Sequence, residues 1–356
     1  MANLLVTGGA GFIGTNFVRY WRAAQPSDPI TVLDALTYAG SSTNLDGLDG
    51  VDLIIGDICD TGLVEQMIGD RGINTIVHFA AESHVDRSIT GPDAFVQTNV
   101  VGTHSLLKAA RKMWVDTGSG CPHRFHNVST DEVYGSLGPQ DDPFTEATPY
   151  SPNSPYSASK AAADHLVRAY FHTYGLQVTT SNCSNNYGPY QFPEKLIPLF
   201  MINALQGRAM PIYGDGMNVR DWLHVEDHCR GIEAIMLRGR PGEVYNIGGG
   251  QELPNVHVVK KLCTTLDAAF AANVELARRF PQSPAARGRR SAELMAYVED
   301  RKGHDRRYAI DDTKARRELN YAPARDFSRG FADTLEWYLH NEVWWTPLLN
   351  RATTMS

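Results

Sequence analysis

The chain has 356 residues, of which 42% are hydrophobic and 21% charged, as in an ordinary soluble globular protein of one large or two closely joined domains. Its net charge of −7 gives no sign of a nucleic-acid-binding surface, no apolar run is long enough to span a membrane, and the N-terminus is not a signal peptide. The cysteines are scattered and form no CxxC pair, which argues against disulfides and zinc and favours free thiols in a reducing cytoplasm. They are Cys59, Cys121, Cys183, Cys229 and Cys263.

Short apolar strands and amphipathic helices alternate through the first half of the chain. "NLLVTG" predicts a strand, "FIGTNFVRYWRAA" a helix, "PITVLDAL" and "VDLIIGDICD" two strands, and "GLVEQMIGD" a helix. "INTIVHFAAES", "TNVVGTHSLLKAARKMW" and "HRFHNVST" then predict a strand, a helix and a strand, and "PGEVYNIGGG" a later short strand. This order predicts βαβ units in a doubly wound parallel sheet of the Rossmann type. The basic stretch 278–290, "RRFPQSPAARGRR", predicts a solvated loop without a nucleic-acid role.

The turn "VTGGAGFIG" places Gly9, Gly11 and Gly14 in G-x-G-x-x-G register between a predicted strand and a predicted helix. Such glycines let backbone N–H groups approach a pyrophosphate, although a glycine-rich turn can also serve only to pack a helix on a strand. Asp34 ends the second strand, 34 − 14 = 20 residues after Gly14. A carboxylate there bonds ribose hydroxyls and repels a 2′-phosphate, so NAD is favoured over NADP.

Tyr156 and Lys160 lie four residues apart on a predicted helix that has Ser154 as its N-cap and Pro155 at its first position. An ammonium group beside a phenol lowers the phenol pKa and would make Tyr156 a base near neutral pH. The spacing alone is common, and an ordinary exposed pair is the alternative. After a dinucleotide-binding half, the spacing indicates a catalytic pair.

The segment "FHNVSTDEVYG" (125–135) ends a buried strand with two adjacent carboxylates, Asp131 and Glu132. Adjacent carboxylates repel each other, so this pair predicts either an acid and a base at the strand end or an acidic turn that caps a helix. Side chains alternate along a strand. Both carboxylates can therefore face one site only if the strand ends near Thr130 and residues 131–134 turn over the sheet edge; a strand that continued through Tyr134 would exclude the assignment.

Together these motifs resemble the extended branch of the short-chain dehydrogenase/reductases, and within it the dTDP-glucose 4,6-dehydratases. The resemblance runs from residue 3 to about residue 340 and is carried by "AAESHVDRSITGP", "STDEVYG", "NCSNNYGPYQFPEKLIP", "IYGDGMNVRDWLHVED" and "DRKGHDRRYAID". It implies an NAD-dependent hydro-lyase that converts dTDP-glucose to dTDP-4-keto-6-deoxyglucose and water, a precursor of deoxysugars. It also implies a cytoplasmic homodimer without a metal, a membrane or a nucleic-acid partner.

The resemblance further implies two domains and a role for each catalytic residue. Residues 1–180, with 226–250 returning, would bind NAD, and residues 181–225 and 251–347 would form a smaller mixed α/β domain for the nucleotide-sugar. Tyr156 would take the C4 hydroxyl proton while hydride passes to NAD⁺, and Thr130 would bond the C4 oxygen. Glu132 would then remove the C5 proton and Asp131 would protonate the leaving C6 hydroxyl, after which hydride returns to C6.

The remaining implied ligands fall into two sets. The cofactor set is Gly8, Gly11, Phe12, Ile13, Gly14, Asp34, Ala35, Leu36, Thr37, Asp57, Ile58, Phe79, Ala80, Ala81, Glu82, Thr98, Tyr156, Lys160 and Asn186. The substrate set is Ser83, Thr130, Asn185, Lys195, Leu196, Pro211, Ile212, Tyr213, Arg220, Asn255, Asp300, Arg301 and His304. Tyr213 could instead be a core residue, and Arg220 could simply pair with Asp221.

Three other functions fit parts of the pattern. A nucleotide-sugar 4-epimerase needs the Tyr–Lys pair and NAD but has no use for Asp131 and Glu132. A decarboxylase would need positive charge where these two carboxylates stand. A non-catalytic NAD sensor could keep the glycine turn and lose the catalytic positions. The sequence leaves open whether thymine or uracil is the base.

Overall fold

The computed structural model describes residues 2–118, 120–301 and 303–353. Within them the strands are β1 Leu4–Thr7, β2 Ile30–Asp34, β3 Val51–Ile55, β4 Thr75–His78, β5 Arg124–Thr130, β6 Val178–Cys183, β7 Asn185–Tyr187, β8 Met210–Tyr213, β9 Val219–His224, β10 Val244–Ile247, β11 Glu252–Pro254 and β12 Met295–Val298. The α-helices are α1 Phe12–Ala24, α2 Thr61–Arg71, α3 Val85–Thr90, α4 Asp93–Phe95, α5 Thr103–Arg111, α6 Pro155–Tyr174, α7 Leu196–Leu205, α8 Val225–Arg238, α9 Asn255–Ala272, α10 Val274–Arg279, α11 Thr313–Leu319, α12 Phe327–His340 and α13 Glu342–Thr353.

Seven parallel strands form the main sheet, in the order β10-β6-β5-β4-β1-β2-β3. Alternate residues of β1 serve opposite faces: Leu4 and Val6 pack in one cluster, and Leu5 packs in another. Because helices cover both faces, the central strands are buried on both sides, with mostly apolar residues in β1 and a mixture of apolar and polar residues in β5 and β6. The predicted doubly wound sheet is confirmed, and so is the late strand, which enters the sheet as β10.

The second unit is built around two small sheets. β9 pairs antiparallel with β11 and parallel with β7, and β12 pairs parallel with β8. Buried side chains from α7, α9 and α12 form its core. β6 spans residue 180 and belongs to the main sheet, while α8 packs on α1. The proposed division at residue 180 therefore falls inside a strand of the main sheet, and the division into domains stays a prediction.

The basic segment 278–290 is more ordered than a solvated loop. α10 extends into it as far as Arg279, and a short 3₁₀ helix covers Ala285–Arg287. Phe280 and Ser283 are buried. The pattern of charges indicated solvent exposure correctly for the arginines, but the apolar residues between them fix the backbone against α9.

Candidate active site

A cavity of about 360 Å³ opens at the carboxyl ends of the central strands. The strand order reverses between β1 and β4, and open α/β sheets bind ligands in the crevice that such a reversal leaves. The volume is in the range of small-molecule sites. Side chains after β1, β2, β4, β5 and β6 line the cavity together with α6 and the segment that leads into α7.

The glycine turn forms one wall of this cavity. A Cβ atom on Gly8 would lie 2.6 Å from Ala80 N, and one on Gly14 would lie 2.2 Å from Gly8 O, so larger residues would displace the backbone. α1 begins at Phe12 without a side-chain cap on its first amides. These amides are free to bind an anion, and the turn fits a pyrophosphate. The predicted strand–turn–helix context is confirmed.

Asp34 stands at the neighbouring rim. Its carboxylate accepts the N–H of Ala10 at 2.9 Å and the N–H of Leu36 at 2.8 Å. Burial raises the pKa of Asp34, and the two backbone hydrogen bonds lower it. A carboxylate has about four acceptor positions, so two such bonds leave capacity for ribose hydroxyls. Together, the glycine turn and Asp34 fit a dinucleotide.

The two adjacent carboxylates lie on a turn at the strand end. β5 ends at Thr130, and Asp131–Tyr134 form one 3₁₀ turn in which the Thr130 hydroxyl accepts the Glu132 N–H at 3.2 Å. Gly135 closes the turn with φ of 99°. A Cβ atom there would lie 2.5 Å from Ser151 O. The prediction that the strand ends near Thr130 is confirmed, and both carboxylates line the cavity.

The surroundings of Asp131 and Glu132 affect the pKa values of the two carboxyl groups differently. Burial raises the pKa of Asp131 well above its usual range, and the negative charge of Glu132 raises it further. Burial also raises the pKa of Glu132, but the positive charges of Arg220, Arg301 and Lys195 lower it. Asp131 is thus suited to hold a proton, and Glu132 to accept one. Asp131 Oδ2 is buried and receives no hydrogen bond from the described residues, so it is available to a ligand.

Tyr156 and Lys160 stand one turn apart on α6. The helix start is confirmed, with Ser154 in a capping box and Pro155 at the first position. Burial raises the pKa of Tyr156 well above its usual range, the charge of Glu132 adds to this, and a hydrogen bond with Thr130 opposes it. The direction is opposite to that expected from a neighbouring lysine alone, because loss of hydration dominates for a buried phenol.

The predicted cofactor residues all line the cavity except Leu36, whose backbone contacts Asp34. Three predicted substrate residues beyond the catalytic set line it too, and Lys195 Nζ donates to Ser83 O at 3.1 Å. Asn185 Oδ1 is buried without a hydrogen bond from the described residues. The three are Ser83, Asn185 and Lys195.

Arg220 lies outside the cavity wall but acts on it electrostatically. Its buried guanidinium donates to Val219 O at 2.7 Å and Asp305 O at 2.9 Å and lies 4.2 Å from the Tyr308 ring centre. Asp221 accepts the N–H groups of Gly249 and Gln251 instead, so no Arg220–Asp221 pair forms among the described residues.

The other predicted substrate residues lie in the second unit, away from the cavity wall. Tyr213 is 40% exposed, which excludes a core role, and its ring contacts His304 edge-on. His304 Nδ1 lies 2.6 Å from Asp300 Oδ1, and Arg301 bonds Asp86. Lys302, inside the same motif, lies outside the described residues. The rest lie on β8 or start helices: Pro211 and Ile212 on β8, Leu196 at the start of α7, and Asn255 at the start of α9.

One group of cavity residues that the sequence did not predict ends β6 or follows it and folds back over the cavity. The motif "NCSNNYGPYQFPEKLIP" contains this whole group, so the resemblance could have found it. Glu194 shows why the group matters, because its carboxylate accepts the Tyr38 hydroxyl at 3.0 Å and lies within 3.8 Å of Arg87. The group is Cys183, Ser184, Gln191, Phe192 and Glu194, and the cavity is also lined by Leu33, Ala39, Gly40, Gly56, Val128 and Ser129, which were not predicted either.

Comparison with known proteins gives one consistent family. The family model described as GDP-mannose 4,6 dehydratase matches residues 5–334. A dTDP-glucose 4,6-dehydratase of Xanthomonas campestris pv. campestris is 53% identical over 97% of this chain and 95% of its own length. The chain belongs to the dTDP-glucose 4,6-dehydratase family. The glycine turn, the acidic turn and the Tyr–Lys pair described above thus belong to a member of this family.

Solved structures agree with membership of the dTDP-glucose 4,6-dehydratase family. DesIV, a dTDP-glucose 4,6-dehydratase from Streptomyces venezuelae solved with NAD and thymidine diphosphate, is 48% identical over 97% of this chain and 99% of its own, with a TM-score of 0.86. A UDP-glucose 4-epimerase from Thermotoga maritima, solved with UDP-glucose, has a TM-score of 0.80 but only 27% identity, over 96% of this chain and 99% of its own. The two share the fold, and identity favours the dehydratase.

Two further observations concern the described residues alone. No group of three or more His, Cys, Asp or Glu side chains among them is arranged to hold a metal ion. No helix among them combines the length and the apolar character that a membrane crossing requires.

Proposed function

We propose that this protein converts dTDP-glucose to dTDP-4-keto-6-deoxyglucose and water, with NAD as its cofactor. One observation carries the proposal: Asp131 and Glu132 face one cavity beside Tyr156, where burial raises the pKa of Asp131 well above its usual range and three nearby positive charges oppose the rise for Glu132. Elimination of water needs such an acid and base with separated pKa values in one small site.

The cofactor site is the half of the cavity formed by the glycine turn, Asp34 and the residues after β4. The glycine turn holds the pyrophosphate, and Asp34 accepts the ribose hydroxyls. When bound there, NAD would supply the acceptor for the C4 hydride and the donor that gives hydride to C6. Lys160 is buried in the same half of the cavity and donates to Val128 O at 2.9 Å.

The chain's own residues carry the protons. Tyr156 takes the C4 hydroxyl proton, and Thr130 bonds the same oxygen. Glu132 removes the C5 proton, which the adjacent ketone acidifies, and Asp131 gives its proton to the C6 hydroxyl, which leaves as water. Glu132 returns its proton to C5, and the proton taken by Tyr156 balances the one that Asp131 gave.

The nucleotide end of the substrate is assigned to the second unit. We place the diphosphate near Arg220 and Lys195, because guanidinium and ammonium groups bind phosphate oxygens. Tyr213, which is 40% exposed beside His304, offers an aromatic face to the base. Thymine is preferred over uracil on the strength of the dTDP-glucose relatives.

A 4-epimerase is the second candidate, favoured by a structural relative of that activity. It needs Tyr156 and Lys160 but leaves Asp131 and Glu132 without a task. Buried carboxylates are costly unless they are used or paired, and Asp131 Oδ2 has no hydrogen bond from the described residues. The site therefore supports the dehydratase better.

We further propose a cytoplasmic homodimer formed through the helices over residues 96–116 and 155–174. Support comes from apolar side chains exposed on these helices, namely Val96, Val101 and Tyr174. Exposed apolar groups of this kind mark protein contacts when they cluster. Light scattering at several protein concentrations tests the state of assembly, and a monomer at all of them would contradict it.

The activity is tested with dTDP-glucose that carries deuterium at C4. Loss of one water with the label retained at C6, followed by mass spectrometry and NMR, is the expected result. Recovery of a C4 epimer of unchanged mass would establish the epimerase and remove the roles of Asp131 and Glu132. UDP-glucose run in parallel tests the base preference, with faster turnover of dTDP-glucose expected.

A further inference from the structure

Asp164 is a buried carboxylate that the reaction above does not use. It follows Lys160 by one helical turn on α6, so Tyr156, Lys160 and Asp164 share one face of the helix. Its side chain does not line the cavity, and it is 6% exposed. Asp164 therefore lies behind the Tyr–Lys pair as seen from the cavity.

The Asp164 carboxylate accepts three hydrogen bonds. Asn127 Nδ2 donates to Oδ1 at 2.7 Å, Ser129 Oγ donates to Oδ2 at 2.7 Å, and the Tyr150 hydroxyl donates to Oδ2 at 3.1 Å. Burial raises the pKa of Asp164, while the charge of Lys160 and the three donors lower it and favour the ionised carboxylate, which only accepts hydrogen bonds. Lys160 Nζ donates to Val128 O at 2.9 Å, and Val128 lies in the chain between Asn127 and Ser129.

These contacts tie α6 to three consecutive residues, 127–129, at the end of β5. The next residue is Thr130, and the acidic turn begins directly after it. The same two side chains, Lys160 and Asp164, therefore fix the strand from which Asp131 and Glu132 project. Placement of reacting groups to within about 1 Å matters by as much as roughly a hundredfold in rate.

Charge gives Asp164 a second role. The titratable groups that act on Lys160 are Asp164 on its own helix and Cys183 on β6, and Lys160 in turn acts on His78 of β4. Burial lowers the pKa of Lys160, and Asp164 raises it. Burial lowers the pKa of His78 to about 3 and raises that of Cys183, so both are neutral near neutral pH.

We propose that Asp164 is a positioning residue of this reaction: it supplies the negative charge that keeps Lys160 an ammonium ion and, with Lys160, fixes the end of β5. The proposal rests on the proposed function. Tyr150 and Tyr134 also face Asp164, and burial chiefly raises the pKa of each, so both stay neutral phenols.

Asp164→Asn removes the charge and nearly keeps the shape. Lys160 then loses its proton at lower pH. The alkaline limb of the kcat profile should therefore move down by about one unit or more, with about a tenfold loss in kcat on that limb per unit. NAD affinity, measured by tryptophan fluorescence across the same pH range, should begin to fall at lower pH than in the wild type.

Asp227→Asn is the matched control. Asp227 is also fully buried and accepts the N–H groups of Ala324 at 2.9 Å and Arg325 at 3.0 Å, but it lies away from the cavity. We expect this variant to lower the thermal midpoint and leave the pH profile of kcat where it is. A loss in Asp164→Asn that is uniform across pH, with NAD affinity unchanged in its pH dependence, would overturn the proposal.

Tyr150→Phe keeps the proposal testable if Asp164→Asn does not fold. It removes one donor to Asp164, outside the cavity, and should shift the alkaline limb down by roughly half a unit to one unit. No shift would overturn the charge role. The NAD titration needs no turnover, so a wild type that binds NAD but does not act on dTDP-glucose would refute the proposed function while still testing the link between Asp164 and Lys160.

Discussion

Gly135 ends the acidic turn, and Gly135→Ala should damage both stability and activity. Its φ of 99° and ψ of −146° lie in a region that is nearly restricted to glycine. An alanine Cβ atom would also meet Ser151 O at 2.5 Å, and both atoms belong to backbone that is hard to move. Strain and overpacking together cost about 2 to 6 kcal/mol. At roughly 2 °C or more per kcal/mol, the thermal midpoint should fall by at least about 4 °C.

The shifted turn should also lower kcat, since Asp131 and Glu132 lie four and three residues before Gly135. A displacement of about 1 Å corresponds to a loss of up to roughly a hundredfold. Gly175→Ala is the control: Gly175 has φ of 72° at the end of α6, with no atom within 4 Å of the added Cβ. It should cost about 1 to 2 kcal/mol and leave kcat intact. Equal stability losses in the two variants, or full activity in Gly135→Ala, would refute this reasoning.

Four further variants test the site. Glu132→Gln should stop exchange of the C5 proton with solvent and lower kcat by about 10² to 10⁴, and Asp131→Asn should lower kcat similarly while that exchange continues. In the wild type, kcat should rise with pH through the pKa of Glu132 and fall through the pKa of Asp131. A flat pH profile would contradict both roles. Asp34→Ala should weaken NAD roughly 10- to 100-fold in a fluorescence titration, since hydrogen bonds to a charge contribute about 1.5 to 3 kcal/mol. Arg220→Gln should move the acid limb of the kcat profile upward, because Arg220 lowers the pKa of Glu132; an unmoved limb would place Arg220 in a structural role only.

Local patterns predicted the elements that position the site. The glycine turn, the cap at Ser154 and the end of β5 at Thr130 each depend on a few adjacent residues, and the structure has them where the sequence predicts them. The strand end is the instructive one. The requirement that two adjacent carboxylates face one cavity set the boundary more sharply than strand propensity would have done.

Features that depend on distant contacts were beyond the sequence. Arg220 is held by Val219 O and Asp305 O, a contact that joins segments 85 residues apart. The raised pKa of Tyr156 comes chiefly from burial, which the Tyr–Lys spacing does not reveal. Glu194 and its neighbours line the cavity because a loop folds back, and loops have no periodicity from which such a path could be read.

The difference in pKa between Asp131 and Glu132 shows why both units are needed for the chemistry. Asp131 and Glu132 have the same origin, at the end of one strand, and by themselves would compete for one proton. Arg220 lowers the pKa of both carboxylates, and Glu132 differs in that Arg301 and Lys195, from chain segments after β6, lower its pKa as well. The main sheet supplies the acid and the base, and the second unit adds to the difference between them. A substrate that draws the second unit toward the sheet would therefore increase the difference between the two pKa values at the moment of reaction.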